Sequence, residues 1–396
     1  MAQAAKIPES ATPADILLTP EQLRDGVTSS AFAYRGYNVT NLGRTPELME
    51  VPAYRPILEK YLVRAANVCS DVKGRKVDLI SRIDAREETT LATYDEAVSM
   101  IVAVEVAHVD ILREHFGVDI SNAKVAYGFS LGEISALVAS GVIELEDALR
   151  IPIAMSDDCV DLANDVTLGV LFSRRGELSD KRVSKLCQEI NAEGKGVIGV
   201  SAWLAPNSCL VIAQRETLDK LQKRKAELSD ERVYVRRNDN KWPPLHTPIV
   251  WQRAIPNRSQ HLMHTMPTKF DAPTPPIFSM VTGAISYDGE NIRDTIGDWV
   301  DHPQQLWKAV DYTLSEGIDL LVHIGPQPNI IPATFERLAA NVASQTKGSV
   351  GMRALSGIAN RPWLGALLPR RASLLRATKV NHLKVEDWLL ENVSAT

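Results

Sequence analysis

Residues 124–143 read KVAYGFSLGEISALVASGVI. The first seven are a short apolar run ending in glycine and serine, the pattern of a buried strand entering a turn. From Leu131 onward the stretch is apolar around most of a helical surface, which predicts a buried helix. Between the two lies Gly128-Phe129-Ser130-Leu131-Gly132, which fits GxSxG. A strand before and a helix after is the context a nucleophile elbow requires. The outer glycines permit a tight turn and close helix–strand packing. The serine is left above a helix N-terminus, where backbone N–H groups and the helix dipole can stabilise a tetrahedral oxyanion. The bland alternative is a glycine-pinched turn with no chemistry.

Working outward, short apolar runs alternate with helical stretches. SSAFAYRG (29–36) predicts a strand running into a loop. ATYDEAVSMIVAVEVAHVDILREHFG (92–117) carries apolar residues at three- and four-residue spacing and predicts a helix. This alternation argues for an α/β fold, a parallel sheet with helices on both faces. The middle of the chain changes character. DVTLGVLFS predicts a strand, LSDKRVSKLCQEINAEG a charged helix ending near Gly194, and VIGVSAWL and SCLVIAQ two strands around the Ala205-Pro206-Asn207 turn. RETLDKLQKRKAEL predicts a second helix and RVYVRR a last strand. That β-α-β-β-α-β order marks residues 166–237 as a ferredoxin-like subdomain. PIFSMVTG, HPQQLWKAVDYTLSEG and IDLLVHIGP then predict a further strand–helix–strand unit. The expected organisation is a loose leader (1–30), a large domain (31–165 and 238–345), the inserted subdomain (166–237) and a C-terminal extension (346–396).

Composition narrows the function. The chain has 396 residues, 45% hydrophobic, enough for a large core. Its 44 Lys and Arg against 49 Asp and Glu give a net charge of −5, without the basic excess of a nucleic-acid binder. The four cysteines, Cys69, Cys159, Cys187 and Cys209, lack metal-ligand spacing and read as idle thiols in a reducing compartment. No metal site is expected. The N-terminal stretch has no long apolar run, so neither a secretory signal nor a membrane anchor is expected, and the default location is the cytoplasm.

A serine nucleophile needs a base at neutral pH, usually histidine. Eight compete: His108, His115, His246, His261, His264, His302, His323 and His382. His108 and His115 fall on a predicted helix, and His323 sits in an apolar strand as a core histidine. His246, in PPLHTP just after the subdomain returns to the large domain, stands where an interdomain cleft is expected. Position favours it without deciding the matter.

The segment YGFSLGEISALVASGVIELEDALR closely resembles the Gly-His-Ser-Leu-Gly-Glu elbow of malonyl-CoA:acyl-carrier-protein transacylases and polyketide-synthase acyltransferase domains. PLHTPIV resembles that family's loop bearing the catalytic histidine. FSMVTGAI and HPQQLWKAVDYTLSEGIDLLVHIGPQP resemble its C-terminal stretch. The resemblance runs from about Phe32 to about Leu338. It implies an α/β-hydrolase-like core with a parallel sheet plus an inserted ferredoxin-like subdomain. It implies ping-pong transfer of a malonyl or other short acyl group: Ser130 attacks an acyl-CoA thioester, His246 takes its proton, and an acyl carrier protein accepts the acyl group on its phosphopantetheine thiol. It further implies that a backbone carbonyl near Trp299 or Val300 orients the imidazole. The oxyanion donors would be the N–H of Leu131 and one from the loop after the first strand, around Tyr37. Acyl-CoA enters as substrate, and no permanently bound cofactor is implied.

Four departures stand out. Arg35-Gly36-Tyr37-Asn38-Val39-Thr40 replaces the family's Pro-Gly-Gln-Gly-Ser-Gln, with Tyr37 at the glutamine position. Phe129 precedes the nucleophile where histidine is usual. Met155 falls at or next to the arginine that grips a malonyl carboxylate, with Asp157 and Asp158 nearby. Trp203 stands near an asparagine that usually lines the site, where it either reshapes the acyl pocket or only packs. Phe129, Met155 and Trp203 are therefore the candidate substrate-binding residues. Loss of the arginine also suits an acyl hydrolase acting on acylated carrier proteins. A non-catalytic carrier-protein-binding homologue is the third reading. A carrier protein is acidic, so Arg236 and Arg237, or Lys223, Arg224 and Lys225, are candidate docking cations if not simply a solvated face.

Overall fold

The computed structural model describes residues 18–266, 270–346 and 370–395. Ten strands are present among them: β1 Ser30–Tyr34, β2 Val125–Gly128, β3 Val166–Ser173, β4 Ile198–Ala205, β5 Ser208–Gln214, β6 Val233–Asn238, β7 Phe278–Ser279, β8 Ala284–Ile285, β9 Leu320–Ile324 and β10 Asn381–Lys384. The large domain is built on a four-stranded sheet in the order β10-β9-β1-β2, with every neighbouring pair parallel. Every residue of β1, β2 and β9 is buried, as a sheet covered on both faces demands.

Strand alternation divides the core in two. Phe32, Tyr34, Ala126, Val322 and Ile324 pack on one face, against helices Arg55–Lys73 and Tyr94–Phe116. Ala31, Ala33, Val125, Tyr127 and Leu321 pack on the other, against helices Leu306–Ser315 and Ile330–Thr346. The loops that follow β1, β2 and β9 all leave from the carboxyl edge of this sheet, where open α/β sheets place their ligands.

The insertion is an antiparallel sheet in the order β4-β5-β3-β6. With helices Asp180–Ala192 and Thr217–Arg224 this is the ferredoxin-like arrangement expected for residues 166–237. One face of the sheet packs on those helices through Leu171, Val200, Val211 and Ala213. The opposite face turns Leu168, Leu210 and Ile212 toward the large domain.

Two expected boundaries move. Residues 1–17 of the expected leader lie outside the described residues, but Pro20–Gly26 is a helix with a Thr19–Gln22 capping box, and Leu23 is buried in the core. Of the expected C-terminal extension, residues 347–369 and 396 lie outside the description. The rest belongs to the large domain: β10 adds an edge strand beside β9, and helix Val385–Glu391 buries Trp388 and Leu389. Glu386 on that helix accepts the Arg44 N–H at 3.0 Å and the Gln327 N–H at 3.3 Å. The strand expected at PIFSMVTG shrinks to Phe278–Ser279, paired only with β8, while Ile277 makes a single parallel bridge to Ala126.

Candidate active site

The turn after β2 is held by contact distances that admit no side chain. A Cβ on Gly128 would lie 1.9 Å from the Gly132 carbonyl carbon, and one on Gly132 would lie 2.3 Å from the Tyr34 carbonyl oxygen. The chain passes from strand to helix without an intervening loop, and Ser130 takes up the strain with φ +55° and ψ −118°. For a residue bearing a side chain this is a sparsely populated conformation, the kind that persists where surroundings impose it. Helix Leu131–Ala139 starts at once. Its second and third amides bond back to Phe129 and Ser130 carbonyls, whereas the Leu131 N–H meets no acceptor among the described residues. It is thus free to receive an oxyanion.

The histidine comes from 116 residues downstream. His246 also has a positive φ, +65°, and its backbone N–H donates to the Val300 carbonyl at 2.7 Å. Its Nδ1 meets the Trp299 carbonyl at 2.7 Å, and its Nε2 meets Ser130 Oγ at 2.7 Å. Both carbonyls expected near the base are therefore used, Val300 for the main chain and Trp299 for the ring. With Nδ1–H donating to Trp299, the Nε2 lone pair faces the serine hydroxyl, the tautomer a general base requires. Trp299 caps the C-terminal end of helix Ile292–Asp298, so its carbonyl carries the negative end of that dipole toward the ring. Its indole N–H also donates to the Ser130 carbonyl at 2.9 Å. Burial drives the imidazole pKa down to about 4, with the Trp299 bond acting the other way, so the ring is neutral at pH 7.

Gln304 is the partner that sequence reading missed. It is fully buried, and its Oε1 accepts the Ser130 N–H at 3.0 Å. Its Nε2 lies 3.3 Å from His246 Nδ1. Since that Nδ1–H is committed to Trp299, this second approach is packing between two donors. The Gln304 main chain bridges to β4, donating to Ser201 and accepting from Trp203, both at 2.8 Å. One residue thus joins the elbow, the base and the subdomain. Two adjacent glutamines stand in HPQQLW, and nothing in the sequence distinguishes the inward one.

The loop after β1 is fixed by Arg35, also fully buried. Its guanidinium donates to the Gly36, Pro326 and Thr40 carbonyls and to Asn41 Oδ1, at 2.6–3.3 Å. Its own N–H donates to Glu105 Oε1 at 2.8 Å. Gly36 is required because a Cβ there would lie 2.5 Å from the Phe129 carbonyl oxygen. Glu133, in the first turn of the elbow helix, is fully buried and accepts Tyr287 Oη–H at 2.8 Å and Met280 N–H at 3.2 Å. Burial pushes its carboxyl up to about 7.

Ser130 and His246 open into a cavity of about 380 Å³ between the two domains. Tyr37, Tyr94, Phe129 and Trp242 form an aromatic wall, and Leu168, Val170, Leu204, Leu210 and Ile212 of the subdomain close the other side. Tyr37 meets Tyr94 and Trp242 edge-on at 4.8 and 6.2 Å. Of the sequence candidates, Tyr37 and Phe129 line this cavity with the dyad. Met155 does not: it is buried in the core at the junction of helices Leu145–Ala154 and Ser156–Ala163. Trp203 does not either. It packs on the subdomain core, and the cleft it borders is a separate one with Trp307 and Lys308. Asp157 and Asp158 are ion-paired with Lys73 and Arg258, away from the cavity.

A second cavity of about 860 Å³ shares Val170, Leu204, Asn238 and Arg337 with the first, and carries Arg236 and Arg237. Arg237 pairs with Asp219. Arg337 donates to Ala333 of its own helix at 3.0 Å and meets no carboxylate among the described residues. Lys223, Arg224 and Lys225 line neither cavity, and Arg224 pairs with Glu189 and Glu227. The remaining histidines have other places. His108 is buried in its helix with its pKa pushed to about 3, and His323 Nε2 meets His382 Nδ1 at 2.8 Å within the core.

Over 300 residues the chain is 26% identical to the malonyl CoA-acyl carrier protein transacylase of Escherichia coli O157:H7, covering 76% of this chain and 90% of the relative. The chain is thus similar in sequence to malonyl CoA-acyl carrier protein transacylases. The corresponding transacylase of Salmonella typhimurium strain LT2 is 25% identical over the same length. No protein-family model matches the chain. Among solved structures, FabD from Acinetobacter baumannii superposes with a TM-score of 0.63 at 16% identity, covering 93% of this chain and 98% of that one. A type II polyketide-synthase malonyl-transacylase, solved with its acyl carrier protein, gives 0.59 at 19% identity over 78% and 92%. The α/β core with its inserted antiparallel sheet is thus the transacylase fold. Among the described residues no group of acidic, histidine and cysteine side chains is arranged to hold a metal ion, all four cysteines are free and buried, and no helix is long and apolar enough to cross a membrane.

Proposed function

We propose that this transacylase relative moves an acyl group from CoA to the phosphopantetheine thiol of an acyl carrier protein through an ester on Ser130. The observation that carries the reading is the 2.7 Å contact between Ser130 Oγ and His246 Nε2 at the floor of an interdomain cavity. His246 Nε2 takes the hydroxyl proton as Oγ attacks the thioester carbonyl carbon. The tetrahedral oxyanion is received by the Leu131 N–H, with Tyr37 N–H as second donor. The C–S bond breaks, and the departing sulfur takes the proton from His246. The carrier thiol then gives its proton to the same nitrogen and attacks the ester carbonyl. The C–O bond breaks and Ser130 recovers its proton.

The imidazolium formed at each half-reaction is offset by the Trp299 carbonyl, since among the described residues no carboxylate is bonded to the ring. Arg337, with Arg236 beyond it, supplies positive charge on the rim between the cavities, suited to the phosphates of CoA and to an acidic carrier. Family likeness supports both substrates: the relatives are named for malonyl-CoA and acyl carrier protein.

The test is intact-mass measurement after mixing with acyl-CoAs, followed by addition of a phosphopantetheinylated carrier protein. A one-acyl adduct that disappears in Ser130→Ala and passes to the carrier is expected. Release of free acid with no acyl carrier would replace transfer by hydrolysis, and absence of an adduct with every thioester would overturn the reading.

A further inference from the structure

We propose that Asn329 binds the pantetheine arm of the thioester, its side-chain NH2 donating to the arm's inner amide carbonyl, the one nearer the sulfur. The contact rests on the reading above, in which a CoA or carrier thioester reaches Ser130, and adds a group that holds it there.

Asn329 stands between β9 and helix Ile330–Thr346 and lines the cavity that holds Ser130 and His246. Its Oδ1 accepts the Ile331 N–H at 2.9 Å, the bond of an N-cap asparagine. That bond fixes the orientation of the amide, because a flipped side chain would set its NH2 against the Ile331 N–H. Nδ2 is therefore the end left over. It is buried, in a residue only 6% exposed, and meets no acceptor among the described residues. A buried donor without an acceptor costs free energy that an arriving acceptor returns. The helix N-terminus adds partial positive charge at the same place, which also favours a carbonyl oxygen. Of the other asparagines in the cavity, Asn38 gives its NH2 to the Pro328 carbonyl at 3.2 Å. Asn238 is half-buried on the rim shared with the second cavity.

The helix that Asn329 caps sets the course of the arm. Ile330 and Arg337 line the first cavity, and Thr334, Arg337, Leu338 and Asn341 line the second. Three- and four-residue spacing puts these side chains on one face, so the helix runs outward from the dyad. From Asn329 to Arg337 it climbs about 12 Å. In the arm, roughly nine bonds separate the inner amide carbonyl from the phosphate, about 10–11 Å when extended. With the phosphate at Arg337, the inner carbonyl falls beside Asn329, and the outer amide falls midway along the helix.

The experiment measures CoA binding by calorimetry and kcat/KM for acylation of Ser130, on the full chain. Three thioesters each of malonate and acetate are used: the CoA ester, the N-acetylcysteamine ester, which keeps only the inner amide, and the ethanethiol ester, which has none. The variants are Asn329→Ser and Asn329→Asp, which both keep an oxygen to cap Ile331 and remove the NH2. In both, CoA is expected to bind about ten-fold more weakly, about 1.4 kcal/mol. The same fall in kcat/KM is expected for the CoA and N-acetylcysteamine esters, with the ethanethiol ester unchanged. Unchanged CoA affinity overturns the inference. So does an equal fall for all three ester types, which marks a displaced elbow, and so does a fall confined to the CoA esters, which marks the outer amide. Failure of every thioester to acylate Ser130, with CoA binding still weakened by both substitutions, overturns the acyl-enzyme reading and leaves the arm contact standing.

Discussion

Replacing Gln304 with alanine removes the acceptor of the Ser130 N–H, which lies at 3.0 Å in a buried position. An unsatisfied buried donor costs about 1–3 kcal/mol, and the space left by the side chain adds to it. Part of this strain falls on a residue already held at φ +55°, so the elbow is the expected place of relaxation. A loss of about 2–3 kcal/mol in unfolding free energy is expected, which for a chain of this length is a fall in Tm of roughly 2–4 °C. Because Ser130 Oγ sits 2.7 Å from His246, a shift of a few tenths of an ångström in the elbow weakens proton transfer, and acylation of Ser130 should slow by about ten- to a hundred-fold. The control is Gln305→Ala. Gln305 has the same side chain, is half-buried, and uses only its main chain, donating to Met280 at 2.7 Å. It should stay within about 0.5 kcal/mol of the parent, as a substitution outside any such network does. Calorimetry for stability and quenched intact mass for acylation give both numbers. Equal effects of the two substitutions would refute the assignment of Gln304 as the tie between elbow and base.

Burial holds His246 neutral in the folded chain, its pKa near 4 against an ordinary 6.5. The acid limb of kcat/KM should therefore fall below pH 5, and a limb at 6.5 would contradict the buried, neutral base. The same shift gives a stability contribution that is complete above pH 6.5 and declines as pH falls toward 4, since only the unfolded chain binds the proton in that window. It is measurable as the pH dependence of chemical denaturation in the parent and in His246→Ala. Gly132→Ala drives a Cβ to 2.3 Å from the Tyr34 carbonyl oxygen, a backbone atom that cannot swing aside; a loss of about 1–3 kcal/mol together with loss of acylation is expected, and retention of full acylation would show that the elbow is looser than drawn. Arg337→Glu should raise KM for acyl-CoA by about three- to ten-fold with kcat little changed, and the effect should shrink as salt rises from 0.05 to about 0.5 M; a salt-independent effect would point to lost packing.

The sequence by itself determined most of the elements and the candidate nucleophile. Local signals sufficed there: apolar period, glycine spacing, and the strand–turn–helix around Ser130 are properties of neighbouring residues, as is the β-α-β-β-α-β order of residues 166–237. The sequence also narrowed the candidate base to His246 once the resemblance was added. Tertiary structure decided the rest, because each remaining feature depends on residues brought together from far apart in the chain. Gln304 differs from Gln305 only in which way the backbone points it. Met155 and Trp203 align with functional positions but turn into the core and the subdomain, and Trp242 reaches the cavity from a loop with no motif. Strand β10 joins the sheet from beyond the expected domain boundary, through ladder bonds to β9 that no local pattern specifies. An active site is a convergence of loops at one sheet edge, and convergence is set by packing, which a linear pattern does not encode.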